Sequence, residues 1–252
     1  EKRRVRAESF ADHFSQARMF FISQTDVEQT HIVRAIVFEL SKVQLAHVRL
    51  RVLGQLRNVH EDLAQRVADG LGLDLPAAIP AAQAPIDMKP SDALSILKKK
   101  PPVKGRCLGI LVTDGADGKI INALKEAAMG EGASVKIIAP KVGGVTLKAG
   151  KHLPADEKID GAPSVLFDAV ALVLSKEGTQ QLLGEKAALD FVSDAYAHCK
   201  AIGHSPEAHA LLEKAGAEPD DFFFDLPTES KTLVSKLSSR EWKREKKVKL
   251  PL

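Results

Sequence analysis

Cysteine, tyrosine and tryptophan are nearly absent from this 252-residue chain, with two, one and one respectively. The two cysteines, Cys107 and Cys199, stand 92 positions apart and make neither a disulfide framework nor a cysteine-based metal motif. The expectation from the cysteines is no structural zinc and a reducing compartment. A dominant charge sign is also lacking. Lys plus Arg at 36 against Asp plus Glu at 33 leaves +3, too little for a strong field toward nucleic acid or anionic lipid. No apolar run reaches the roughly 18 residues of a membrane span, and the start EKRRVRAESF has no apolar core of a signal peptide. The expectation is a cytoplasmic chain with no nucleic-acid and no membrane partner. At 44% hydrophobic and 27% charged residues, the composition excludes disorder as the main state.

Proline is plentiful in one place. Six of 13 prolines fall between Pro76 and Pro102, while the flanking segments are periodic and proline-poor. Residues 76–104 therefore read as an extended linker that spaces rather than packs, with at most a helical turn beginning at Ser91. Before it, residues 1–75 read as helical. Thr25 and Glu28 form a capping box ahead of Ile32, Val33, Ile36, Val37 and Leu40, which predicts a helix over about 26–42. Asn58 and Glu61 repeat the device ahead of Leu63, Ala64, Val67 and Ala68, with Gly70 and Gly72 as stops. A further helix carries Leu45, Val48, Val52, Leu53 and Leu56, and FADHFSQARMFFIS supplies a fourth. Five of ten phenylalanines (Phe10, Phe14, Phe20, Phe21, Phe38) lie in this piece. A domain so small leaves much apolar surface uncovered, so Phe10, Phe14, Phe20 and Phe21 are expected to be partly exposed.

After the linker the period changes. CLGILVT (107–113), VKIIA (135–139) and AVALVLS (169–175) are near-continuous apolar runs of the kind buried on both faces of a parallel sheet. Helical segments follow at DGKIINALKEAAMGEG, GTQQLLGEKAALDFVSDAYAHC and SPEAHALLEKAG, the last after a short run at 200–203. Residues 141–168 read as a hairpin-like excursion and a loop. The predicted fold class is α + α/β: a helical region (1–75), the linker (76–104), a flavodoxin-like doubly wound parallel sheet (105–225), and a polar C-terminal tail (226–252).

Function in such a sheet sits in the loops beyond the carboxyl ends of the strands. The first, TDGADG (113–118), lacks Gly-x-Gly spacing and a Lys-Ser/Thr pair, so it is no nucleotide loop; Asp114 and Asp117 are read first as helix caps. Ser175-Lys176 lacks a supporting motif. Ala201-Ile-Gly-His-Ser-Pro206 turns sharply from strand to helix, the geometry of a nucleophile elbow. Cys199, four residues before Gly203, is expected to be a buried free thiol. His198 and His209 are expected on helix surfaces, and the basic runs KRR and KREKK as solvated charge.

That turn, with the 107–216 stretch around it, resembles the intracellular cysteine protease and class I glutamine amidotransferase-like superfamily, whose elbow runs Ala-Ile-Cys-His-Gly-Pro. Here Gly203 stands where the resemblance places the nucleophile, His204 keeps the histidine and Ser205 replaces the glycine. The resemblance places a carboxylate partner in the first loop, where Asp114 and Asp117 are weak candidates. With glycine at the nucleophile position, covalent hydrolysis has no attacking atom.

The segments RAESFADHFSQARMFFISQTDVEQTHIVRAIVFELSKV and RVLGQLRNVHEDLAQRVADGLGL, with the tail REWKREKKVKLPL, are similar to the C-terminal portion of large-subunit monofunctional haem catalases. The resemblance implies a parent that dismutates hydrogen peroxide with haem in a β-barrel upstream of Glu1, with that barrel and the other subunits of a homotetramer as partners. The single tyrosine, Tyr196, has no Arg-x-x-x-Tyr context, so the chain itself is expected to hold no haem, no metal and no catalytic residue. Its role is then assembly and stability. The alternative is an ATP-independent holdase that binds unfolded clients, an activity known among relatives of the amidotransferase-like domain.

Overall fold

The computed structural model describes residues 1–249. They form two compact units that divide between Lys100 and Pro101.

The first unit is built on four helices: α1 (Ser15–Ser23), α2 (Asp26–Ser41), α3 (Ala46–Val59) and α4 (Glu61–Leu71). α2 begins as its sequence dictates. Thr25 Oγ1 accepts from the Glu28 amide while Glu28 accepts from the Thr25 amide, satisfying two donors that helix geometry leaves unpaired. α4 ends at Gly72, whose φ of 65° lets the Leu73 and Gly72 amides turn back onto the Ala68 and Asp69 carbonyls. The second anticipated capping box does not form. Asn58 lies inside α3, where its amide reaches across to the Ile79 carbonyl at 2.7 Å, and His60 holds the N-cap position of α4. The first helix is also shorter than its periodicity implies, because Asp12 accepts from the Phe14 and Ser15 amides and restarts the chain after a 3-10 turn at Glu8–Ala11. Phe21, Val33, Leu40, Leu53, Val59, Leu63, Val67 and Ala68 make the core. Phe21 is thus buried, against expectation, whereas Phe10 (63% exposed), Phe20 (46%) and Phe38 (61%) face solvent.

Much of the proline-rich segment packs rather than spaces. An extended chain cannot pair its own amides and carbonyls, and here the helices lend it side chains. Ser15 Oγ takes the Ile86 amide, Ser23 Oγ the Ser91 amide, and Arg57 donates to the Pro76 carbonyl. Glu28 takes Ser95 Oγ and the Ile96 and Leu97 amides. The turn beginning at Ser91 is present as a 3-10 turn over Asp92–Leu94.

The second unit has strands β1 (Cys107–Val112), β2 (Ser134–Ala139), β3 (Val145–Thr146), β4 (His152–Leu153), β5 (Glu157–Lys158), β6 (Ala169–Val173), β7 (Ile202–His204) and β8 (Phe223–Asp225). Its helices are α5 (Gly118–Gly130), α6 (Lys176–Leu182), α7 (Lys186–Ala197), α8 (His209–Lys214), α9 (Ser230–Ser235) and α10 (Glu245–Val248). Six strands pair in the order β5-β2-β1-β6-β7-β8, all in parallel, while β3 and β4 make a separate antiparallel hairpin. Alternate residues feed opposite faces, as the strand period requires. Leu108, Ile110 and Val112 meet α5 and α9 on one side; Leu111, Val170 and Leu172 meet α6, α7 and α8 on the other. The long helical stretch after Ser175 is two helices, parted around Gly184.

The expected tail is the largest departure. Leu226, Leu233, Val234 and Leu237 belong to the core, and Arg244 is fully buried. Arg244 pairs with Asp220 through two bonds of 2.7 and 2.8 Å, donates to the Tyr196 and Lys200 carbonyls, and lies over the Tyr196 ring. A guanidinium so paired is tolerated inside, which a polar-looking sequence does not reveal. Residues 250–252 of that tail lie outside the described residues.

Candidate functional site

The parallel strands end on a cleft of about 770 Å³ lined by Asp114, Asp117, Lys148, Lys176, Ser205 and Glu207, among others. Its polar side chains hold the loops in place. Asp114 accepts from the Thr146 amide at 2.7 Å, fastening the first loop to the β3–β4 hairpin, while its carbonyl accepts from Ser175 Oγ at 2.6 Å. Asp117 caps α5 by accepting from the Lys119 amide. Ser175 Oγ also accepts from the Gly178 amide and so caps α6. Ser205 is buried, and its hydroxyl bridges to the backbone of Leu174 at 3.2–3.3 Å.

Gly203 and His204 point to opposite faces of the sheet. A Cβ built on Gly203 would lie 2.4 Å from Leu233 Cδ2 and 3.2 Å from Leu226 Cδ1. The space that a nucleophile needs is filled by leucines from the segment after β8. His204 is buried on the other face. Its Nε2 lies 3.6 Å from Asp225 Oδ1, its ring meets that of His209 edge to face at 4.8 Å, and its Nδ1 has no hydrogen-bond partner among the described residues. Burial, followed by the neighbouring His209, pushes the His204 imidazole below its ordinary range and favours the neutral ring.

The carboxylate facing His204 is therefore Asp225. Asp114 and Asp117 share the cleft with Ser205, but neither lines up with the histidine as the resemblance had placed a partner; each is committed to backbone amides. Sequence reasoning missed Asp225 because its approach depends on the register His204↔Asp225 between β7 and β8. The short run FFFD carries too little pattern to announce a strand. His209 is exposed at the start of α8, as expected of a surface residue, yet its ring rests on His204. His198 closes α7 with its Nδ1 2.6 Å from the Asp194 carbonyl oxygen.

At the amino ends of the strands a second cleft, about 680 Å³, is lined by Asp168, Cys199, Lys200, Arg240 and Trp242, among others. Lys200 donates to the Ser164 and Phe167 carbonyls, and burial with Arg240 nearby pushes its amine down to about 8. Cys199 is a buried thiol with φ of 56°, and burial raises its pKa. Tyr196 is buried beneath Arg244, its hydroxyl without a partner among the described residues, and burial raises its pKa too. It stays a neutral phenol.

No helix among the described residues is long and apolar enough to cross a membrane. Comparison with known proteins matches residues 7–71 to the family described as catalase-related immune-responsive, and residues 104–238 to the C-terminal domain found in long catalases. Catalase C of Rhizobium meliloti is 48% identical over 99% of this chain and 36% of its own length. Catalase HPII of Pseudomonas aeruginosa is 38% identical over 87% of this chain and 31% of its own length. The chain spans about a third of the length of these relatives. With more than half of its residues matched by that second profile and the helical segment before it by the first, the chain belongs to the long catalases, as their C-terminal portion.

Proposed function

We propose that this chain serves the assembly and stability of a long catalase, whose complete protein dismutates hydrogen peroxide to water and oxygen with haem held in a barrel outside these residues. The observation that carries the reading is the packing of Leu233 and Leu226 against Gly203. The elbow position contributes to the core instead of presenting a nucleophile, which also sets the hydrolase reading aside. The chain's residues do not fit haem through a tyrosinate. Its only tyrosine is a buried, neutral phenol lying under a guanidinium. The haem barrel and the other subunits of a homotetramer are the proposed partners, in the cytoplasm. The pairing order of β2, β1, β6, β7 and β8 supports a flavodoxin-like arrangement and, with the turn at Gly203, the amidotransferase-like kinship.

The test is a chimera in which this chain replaces the matching third of Rhizobium meliloti Catalase C. The chimera should assemble and keep its peroxide activity on heating, and Catalase C lacking that third should lose both. Unimpaired assembly and heat stability of the shortened protein would refute the role.

Exposed Phe10, Phe20 and Phe38 favour a second reading, the ATP-independent holdase. Apolar area removed from water is worth on the order of 25 cal/mol per Å², so a few hundred Å² would hold an unfolding client. The full chain should then suppress thermal aggregation of a model client without ATP, and Phe10→Ser, Phe20→Ser, Phe38→Ser together should suppress it less. Equal suppression by that variant would remove the phenylalanines from the explanation.

A further inference from the structure

Three metal-ligating side chains converge at the carboxyl end of β7. His204 comes from the end of that strand, Asp225 from the matching end of β8, and His209 from the first turn of α8. One ligand atom from each lies within 4.8 Å of the others. His204 Nε2 and Asp225 Oδ1 are 3.6 Å apart. Ligand atoms on a tetrahedral zinc ion with bonds near 2.1 Å stand about 3.4 Å apart. One edge of the polyhedron is therefore already set, and the others must close by an ångström or so. The side chains that would move are the exposed ones, His209 and Asp225; the buried His204 stays put.

The same distance and the unsatisfied ring of His204 point to a ligand. At 3.6 Å, His204 and Asp225 are too far apart for a hydrogen bond and close enough to share an ion. A buried imidazole whose Nδ1 has no hydrogen-bond partner among the described residues is costly, and a metal–nitrogen bond at Nε2 would offset part of that cost. We infer that His204, His209 and Asp225 form a binding site for a divalent transition metal of the zinc class, with its remaining coordination positions open to water. Two imidazoles and one carboxylate suit Zn²⁺ and Co²⁺ and offer little to Mg²⁺ or Ca²⁺, which prefer oxygen donors. The role is mechanical. The ion would tie the edge strand β8 and the start of α8 to β7, on the face of the sheet opposite Gly203.

The test uses the full chain without an affinity tag, stripped of metal by chelator and titrated with Co²⁺ and then Zn²⁺. One equivalent of Co²⁺ should bind and give visible d–d bands of a low-coordinate nitrogen/oxygen site, Zn²⁺ should displace it, and saturating Zn²⁺ should raise the melting temperature. His209→Ala and Asp225→Ala each change an exposed side chain and should leave the fold intact by circular dichroism. Each should weaken Zn²⁺ binding tenfold or more and abolish the thermal shift. Mg²⁺ should compete with neither ion. Absence of a one-to-one site, or binding undiminished in both variants, would overturn the assignment, the latter by placing the metal on other histidines.

Discussion

Leu233 fills the position that a side chain on residue 203 would occupy, with its Cδ2 2.4 Å from the Cβ that Gly203 lacks. The two residues belong to segments 30 positions apart, and the second lies in a stretch whose sequence looks like a polar tail. The glycine and the leucine are thus one packing unit. A cysteine restored at the elbow would collide with the core before it met any substrate.

Gly203→Cys should therefore destabilise the α/β unit by about 1–3 kcal/mol, the usual range for overpacking a close-packed interior, and iodoacetamide should label the new thiol slowly. Adding Leu233→Ala should recover part of the loss, since the cavity and the added group compensate. Melting curves of the two variants decide it: additive destabilisation would show that the residues do not share space.

Arg244→Ala should cost about 3–5 kcal/mol, because it leaves the Asp220 carboxylate and the Tyr196 and Lys200 carbonyls without their donor in a largely buried setting. Chemical denaturation is the measurement. A loss below 1 kcal/mol would mean that the segment after 225 is peripheral.

Glu28 should give the helical unit an acid-sensitive stability. Burial alone would raise its pKa, but the Thr25 and Leu97 amides and the Ser95 and Thr25 hydroxyls outweigh that and hold it at about 2, below its ordinary 4.5. A folded-state value depressed in this way stabilises fully above the unfolded value and is lost as pH falls through 4.5 toward about 2. Glu28→Gln should flatten the fall in stability over that window. An unchanged pH profile would show that the carboxylate is not the group responsible.

Limited trypsin digestion should cut first at Lys98 or Lys99, at the division of the two units, and spare the earlier proline-rich segment, whose amides are held by Ser15, Ser23 and Glu28. First cleavage at Lys89 would mean that these bonds do not hold the proline-rich segment.

Local signals in the sequence are legible where one stretch carries all of them. Thr25 and Glu28 announce α2, and the apolar runs announce β1, β2 and β6 to within a residue or two. Asn58 and Glu61 carry the same letters as a capping box, yet Asn58 is taken by the Ile79 carbonyl, a tertiary partner no local pattern contains. The site divides the same way. Asp117 as a helix cap follows from its neighbours, whereas Asp225 beside His204 and Leu233 against Gly203 follow only from the pairing of β7 with β8 and the return of α9 onto the sheet. β8 is only three residues long, so neither periodicity nor motif reports it.

The claim that this chain supplies packing and assembly, and not peroxide chemistry, is tested most directly by oxygen release. The purified chain is mixed with one equivalent of haem and given hydrogen peroxide in an oxygen electrode cell, beside free haem at the same concentration. Equal rates are expected, because the only tyrosine is a neutral phenol beneath Arg244. A rate well above that of free haem, together with a strong Soret band from protein-bound haem, would contradict it.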